Sequence, residues 1–326
     1  MSHKFENSIF LILLIYNVLW VFSCISPFQI TINGIIAGSI YALIAIGFTV
    51  IYRTVGFFHF AHGIVYTAGA YLAYAVISGW LLVVGSQFLV GMWVVVIMVG
   101  IAGAGVLGVL IDRAVYYPLR KQKASNLIFL LASFGVFIFL QNLIQMIYGA
   151  QILTIRTGPV KEGHHFLGAV ITDIQITILV VSIILMILLW LFIQKTKLGK
   201  AMRAVADDPV AANVVGINPE RIILTSFAIG SALAGAAGIL ISFETNIEPT
   251  MGFSPLLKGI IACIIGGIGS IPGAVLGGFF LGLAENFGIW KISAGWKDCI
   301  AFVILIIFLL LRPSGFLGTK TEKELL

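Results

Sequence analysis

Apolar residues run through this chain in long, almost unbroken stretches, without the alternation of a half-exposed strand or the narrow stripe of a surface helix. A helix that crosses a bilayer needs about 20 mainly apolar residues. Ten stretches approach that length: about 8–26, 28–52, 56–79, 88–111, 127–148, 176–194, 222–243, 256–270, 272–290 and 297–312. The eighth is short, and the third opens on an irregular segment containing Gly and His; either fits a broken or re-entrant helix, so eight or nine full crossings fit as well. The predicted fold class is all-α: a polytopic membrane helical bundle of about 8–10 transmembrane helices, residues 1–326 forming one transmembrane domain without a soluble one. The first stretch, from Ile9 to Phe22, lacks a small-x-small cleavage site and only loosely matches a lipoprotein site at Val21-Phe22-Ser23-Cys24, so it is read as a retained span.

Composition sharpens this picture. Hydrophobic residues make up 60% of the chain and charged residues 10%, against about 45–50% and about 25% in soluble domains. A soluble enzyme, a nucleic-acid binder and a disordered chain are thereby excluded. The net charge of +6 is explained by position. With ten spans and an inner N-terminus, 14 of the 19 basic residues fall inside: Lys4, Arg53, Arg113, Arg120, Lys121, Lys123, Lys195, Lys197, Lys200, Arg203, Arg221, Arg312, Lys320 and Lys323. Arg156, Lys161, Lys258, Lys291 and Lys297 fall outside. This split predicts a multi-pass plasma-membrane protein with both termini cytoplasmic. The longest polar stretches, about 149–175 and 195–221, are too short to bury a core. No Gly-x4-Gly-Lys-Ser/Thr loop occurs, so any ATP used must be bound by another subunit.

The 36 glycines cluster, as in Gly34-x3-Gly38, Gly100 to Gly108 and Gly230/Gly235/Gly238, where small residues let helices approach closely in lipid. The segment Gly266-Gly267-Ile268-Gly269-Ser270-Ile271-Pro272-Gly273 breaks a helix instead. Such backbone survives at membrane depth only inside protein or beside water, which marks it as a hinge or pathway lining. Gly56-Phe57 with Gly63-Ile64 reappears, at the same spacing, as Gly252-Phe253 with Gly259-Ile260. Each follows a Gly-Ser-containing span, and the two units would run in opposite directions, as in the inverted repeats of transporters.

Candidate chemistry is sparse. His59 and His62 lie three apart but lack a third ligand nearby, and read best as hydrogen-bonded histidines. Cys24, Cys263 and Cys299 share no spacing and read as buried thiols. Among acids only Glu285, Glu244 and Asp298 touch the spans, which argues against a proton-driven carrier. Glu285 is either a pathway residue or a partner for Lys291. The inner loop from Lys197 to Pro219 has the marks of a short helix, with Asp207 or Asp208 as cap and Gly216 as stop, suited to docking a cytosolic partner or to lying in solvent.

That loop, Leu198-Gly199-Lys200-Ala201-Met202-Arg203-Ala204 with Ala212, Gly216 and Ile217, resembles the cytoplasmic loop of branched-chain amino-acid ABC importer permeases. The resemblance extends through Gly38-Ser39-x-Tyr41-Ala42-Leu43, Phe60-Ala61-His62-Gly63, Gly266 to Ala274, Ala284-Glu285, Lys297-Asp298 and Arg312 to Gly318, covering most of the chain from about residue 30. His59 departs from it, since family members more often carry Asn there, and residues 149–175 and the first span match nothing in it. The resemblance implies a type II importer-like permease of the bacterial inner membrane that passes leucine, isoleucine and valine. It would work with a second homologous permease, two cytosolic ATPase subunits that use ATP, and an external substrate-binding protein, this chain holding no cofactor, metal or nucleic acid. Gly199, Arg203, Ala204, Asp207, Asp208 and Gly216 would couple it to the ATPase, with Asp207 and Asp208 capping and Arg203 pairing across the interface. Gly63, Gly266, Gly267, Gly269, Ser270, Pro272, Gly273 and Glu285 are the candidate pathway or hinge positions, and no residue is expected to be catalytic. A urea or short-chain amide permease of the same wider family, or a self-contained channel or secondary carrier, remain alternatives.

Overall fold

The computed structural model describes residues 27–84, 90–155, 163–166 and 168–318. The candidate span 8–26, with Cys24, lies outside them. Helix α1 is Pro27–Val55, α2 His62–Val84 and α3 Val90–Ile111, which runs on through a π-helical turn, Asp112–Tyr116, to Lys121. Then come α4 (Asn126–Tyr148), a hairpin of β1 (His164–Phe166) and β2 (Ala169–Ile171), and α5 (Asp173–Lys195). Two short helices follow, α6 (Lys197–Asp207) and α7 (Pro209–Val214), before α8 (Pro219–Ser242). The chain closes with α9 (Phe253–Gly266), α10 (Ile271–Gly288) and α11 (Lys297–Leu311). Among the described residues the small hairpin and a bridge between Leu153 and Ile247 depart from an all-helical reading, and His164 Nε2 pairs with Asp173 Oδ1 at 2.7 Å to tie the hairpin to α5.

Among the described residues, six helices are long and apolar enough to cross a membrane, or seven if α9 and α10 count as one bent span. The two helices meet at 118°, so the eighth and ninth predicted stretches form one broken unit. The core is built on α1 and α8, whose apolar windows are 83% and 72% buried, whereas that of Ala294–Leu311 is 6% buried and presents its side chains outward. Helices without an amphipathic stripe sort this way because lipid rewards apolar surface as well as protein does, leaving close packing to choose neighbours.

Glycine supplies that packing. Gly34 and Gly38 of α1 lie against Gly282 and Gly278 of α10; a Cβ on Gly38 would stand 2.9 Å from the Phe279 Cα. Across the bundle α8 packs along α3, a Cβ on Gly105 falling 3.1 Å from the Ala228 carbonyl oxygen. The pairings are duplicated: α1–α10 matches α8–α3, α1–α9 matches α8–α2, and α9–α10 matches α2–α3. Arg53, near the end of α1, faces Asp207 at the end of α6, on the connection that leads through α7 into α8, so α1 finishes at the end of the bundle where α8 starts. The two three-helix units are therefore inverted.

Their contact is reciprocal at two glycine pairs. A Cβ on Gly47 would lie 2.8 Å from the Gly230 oxygen, and one on Gly230 2.6 Å from the Gly47 oxygen. Gly63 and Gly252 face each other likewise. The sequence match makes Gly63 the counterpart of Gly259, while in the folded bundle Gly63 packs against Gly252.

Gly278→Leu, which places a Cβ 2.5 Å from the Ala42 Cα, is expected to destabilise the purified protein by about 1–3 kcal/mol through overpacking. Gly135→Leu, on α4 with no atom within 4 Å, should leave the thermal midpoint in detergent unchanged.

Candidate functional site

The predicted coupling residues gather at the end of the bundle where α1, α3 and α5 finish. Thr196 joins α5 to α6: its Oγ1 donates to the Phe192 carbonyl at 2.6 Å and accepts the Gly199 N–H at 2.9 Å. Gly199 sits so close to α5 that a Cβ would lie 2.5 Å from the Ile193 Cα, a contact only glycine permits. Arg203 Nη1 donates to the Ile193 carbonyl, which ties α6 to α5 within this chain. Ala204 accepts the Asp208 N–H, closing α6.

The two adjacent acids divide their tasks. Asp208 caps α7, its Oδ1 accepting the N–H groups of Val210 at 2.7 Å and Ala211 at 3.0 Å. Asp207 does not cap; it stands 3.6 Å from Arg53 Nη2. Gly216 follows α7 with φ +86, a conformation that suits glycine and ends the helix. Val210, Val214 and Val215 are 73–83% exposed, an apolar patch on an otherwise polar loop.

The predicted pathway or hinge set falls in three places. Gly266, Gly267, Gly269, Ser270, Pro272 and Gly273 build the α9–α10 turn, with φ +103 at Gly267 and +86 at Gly269. Ser270 Oγ accepts the Gly273 N–H at 3.2 Å, and Pro272 lies in the first turn of α10. The segment after α11 is laid onto this turn: Phe316 N–H donates to the Ile265 carbonyl at 2.8 Å and Leu317 N–H to that of Gly266 at 2.9 Å. Gly63 lies apart, against Gly252.

Glu285 is buried on α10, and its partner is Lys258 at 3.2 Å, not Lys291 as the alternative reading had it. Tyr41 donates to the same carboxylate at 2.9 Å, and Lys258 reaches Asp298 at 3.1 Å. Lys258 lies within the eighth apolar stretch, where its charge was visible but was assigned to an outer loop. A second cluster had no sequence signal: Arg120 Nη1 binds buried Asp112 at 2.7 Å and its Nη2 binds Glu220 at 2.9 Å, joining the end of α3 to the start of α8.

The remaining candidates have quieter roles. His59 Nδ1 meets the Tyr116 hydroxyl at 2.9 Å and His62 Nε2 the Ile44 carbonyl at 3.3 Å, both rings being buried. No group of three or more His, Cys, Asp or Glu among the described residues is arranged to hold a metal. Cys263 is buried, but Cys299 is exposed on the outward side of α11, a correction to the expectation of buried thiols.

Lys258→Met strands a buried carboxylate and is expected to cost about 3–5 kcal/mol. Adding Glu285→Leu should recover most of that loss in a detergent melt; equal loss in the single and double variants would show that the pair does not act as a unit.

Residues 30–309 match the family described as "Branched-chain amino acid transport system / permease component". The chain is 41% identical to the high-affinity branched-chain amino acid transport system permease protein BraD of Pseudomonas aeruginosa, over 89% of this chain and 95% of BraD. It is 39% identical to LivH of Escherichia coli K12, over 88% of this chain and 94% of that one. A probable LivH of Methanocaldococcus jannaschii is 28% identical over 89% and 92% of the two chains. No solved structure matches. The chain belongs to the family of branched-chain amino-acid transport permease components.

Proposed function

We propose that this chain is the membrane permease of an ATP-driven importer of branched-chain amino acids, and that α6 and α7 form its seat for a cytosolic ATPase. The likeness to BraD along nearly the full length of both chains carries the substrate class. The exposed valines carry the docking surface, because three large apolar side chains on a polar loop gain by being covered, each contributing about 1.5–3 kcal/mol on full burial.

In this reading the end of the bundle bearing Arg53, Arg113, Arg120, Lys195 and Arg221 faces the cytoplasm. The partners are a second permease of the same family, two ATPases and an external binding protein. Gly199, Arg203, Ala204, Asp207, Asp208 and Gly216 shape the seat. The α5–α6 junction makes a lever: with Gly199 pressed on Ile193 and Arg203 bonded to its carbonyl, a push on α6 passes into α5. The α9–α10 turn is the hinge, and Glu285 with Lys258 holds α10 to α9 away from it. ATP drives transport only if the ATPase binds two permease arrangements unequally; equal affinity shifts nothing.

The test is affinity purification of the tagged chain from membranes, with leucine uptake measured in the same cells. Val210→Asp with Val214→Asp should cut ATPase recovery at least tenfold while membrane insertion persists. Undiminished recovery and uptake would overturn the docking surface, and uptake of urea but not leucine would overturn the substrate.

A further inference from the structure

The coupling loop and the α9–α10 turn, apart in sequence, border one half-open cavity of about 360 Å3. That lies within the roughly 300–1,000 Å3 of small-molecule sites. Its charged lining is Arg53 from α1 and Arg203 and Asp207 from α6, and its apolar walls include Trp190 of α5, Ile268 of the turn and Leu317 of the terminal segment. We propose that this cavity is a release-side site for a zwitterionic α-amino acid with a branched side chain. The inference rests on the reading of the chain as a cytoplasm-facing amino-acid permease.

Charge selects the ligand class. Two guanidinium groups suit a carboxylate, and one carboxylate suits an ammonium group, so a zwitterion satisfies both signs at once. A phosphate or other anion leaves Asp207 opposed to it. The charges are also free to exchange partners: Arg53 and Asp207 are 3.6 Å apart and Asp207 is 77% exposed, and exposed pairs of this kind hold each other weakly. Arg203 spends one N–H on the Ile193 carbonyl and has others to offer, since a guanidinium carries five donors. Trp190, Ile268 and Leu317 are 44–48% exposed, leaving apolar surface for a branched side chain to cover. An occupied cavity would brace α6 against the turn and so oppose their relative movement.

The test uses the complete importer, both permeases with their ATPases, in nanodiscs without the binding protein, and a diazirine analogue of leucine as photoprobe. Labelling is expected in peptides containing Trp190–Gln194 or Ile268–Pro272 and should be competed by leucine. Isocaproate, which lacks the ammonium, and isoamylamine, which lacks the carboxylate, should compete at least tenfold less well; this comparison needs no variant. Arg53→Gln should reduce labelling about tenfold and Arg53→Lys should restore part of it. Labelling confined to other segments, or equal competition by isocaproate, would overturn the proposal. Leucine uptake by the same importer in proteoliposomes supplied with the binding protein separates the two ideas: uptake without cavity labelling overturns the site and leaves the permease reading intact, whereas no leucine uptake overturns the reading itself.

Discussion

Backbone approach at glycine is the constraint on which the bundle depends. In lipid an apolar side chain gains little by moving from a hydrocarbon tail to a neighbouring helix, so contact must come from fit and from close approach of main chains. Gly34 and Gly38 against Gly278 and Gly282 bring α1 and α10 together, and Gly47 against Gly230 sets the crossing of α1 and α8. Around these two crossings α9 packs on α1 and α10, α2 packs on α8 and α3, and α4, α5 and α11 are largely turned outward.

The inverted units are alike in pairing but differ in what joins them. Where α2 meets α8, Gly69 and Gly235 bring backbone to within 2.6 Å of a notional Cβ. Where α9 meets α1, Gly259 likewise stands against Ile44, and Lys258, Tyr41 and Glu285 of α10 add a buried polar knot. Glycine contacts allow one arrangement, because any shift produces overlap or a void. An ionic knot has alternatives, since Lys258 already divides itself between Glu285 and Asp298. The two halves of one architecture thus differ in what joins them, with the polar knot lying on the two helices that flank the α9–α10 turn.

Much of this was legible in the sequence. Long apolar runs gave the helices to within a few residues, and basic residues marked one end of the bundle. The Asp-Asp-Pro signal located the start of α7, though it did not tell which acid caps: Asp208, next to Pro209, is the N-cap, while Asp207 ends α6 and turns to Arg53. Glycine positions were visible as packing sites, but their partners depend on which helices cross. Ion clusters were the least legible, because Arg120 and Glu220 are 100 residues apart and only folding makes them neighbours. Lys258 illustrates the same limit, as its charge suggested a loop until Glu285 supplied a buried partner.

The terminal segment has a consequence for how the molecule is made. The carbonyls of Ile265 and Gly266 receive their bonds from Phe316 and Leu317, residues synthesised some fifty positions later. Until the ribosome has passed α11, the turn carries unpaired acceptors, which are tolerable only while water can reach them. Completion of this end of the bundle therefore waits for the last helix. A chain truncated after Leu311 would keep each helix described above and still lack the strap that seals the turn.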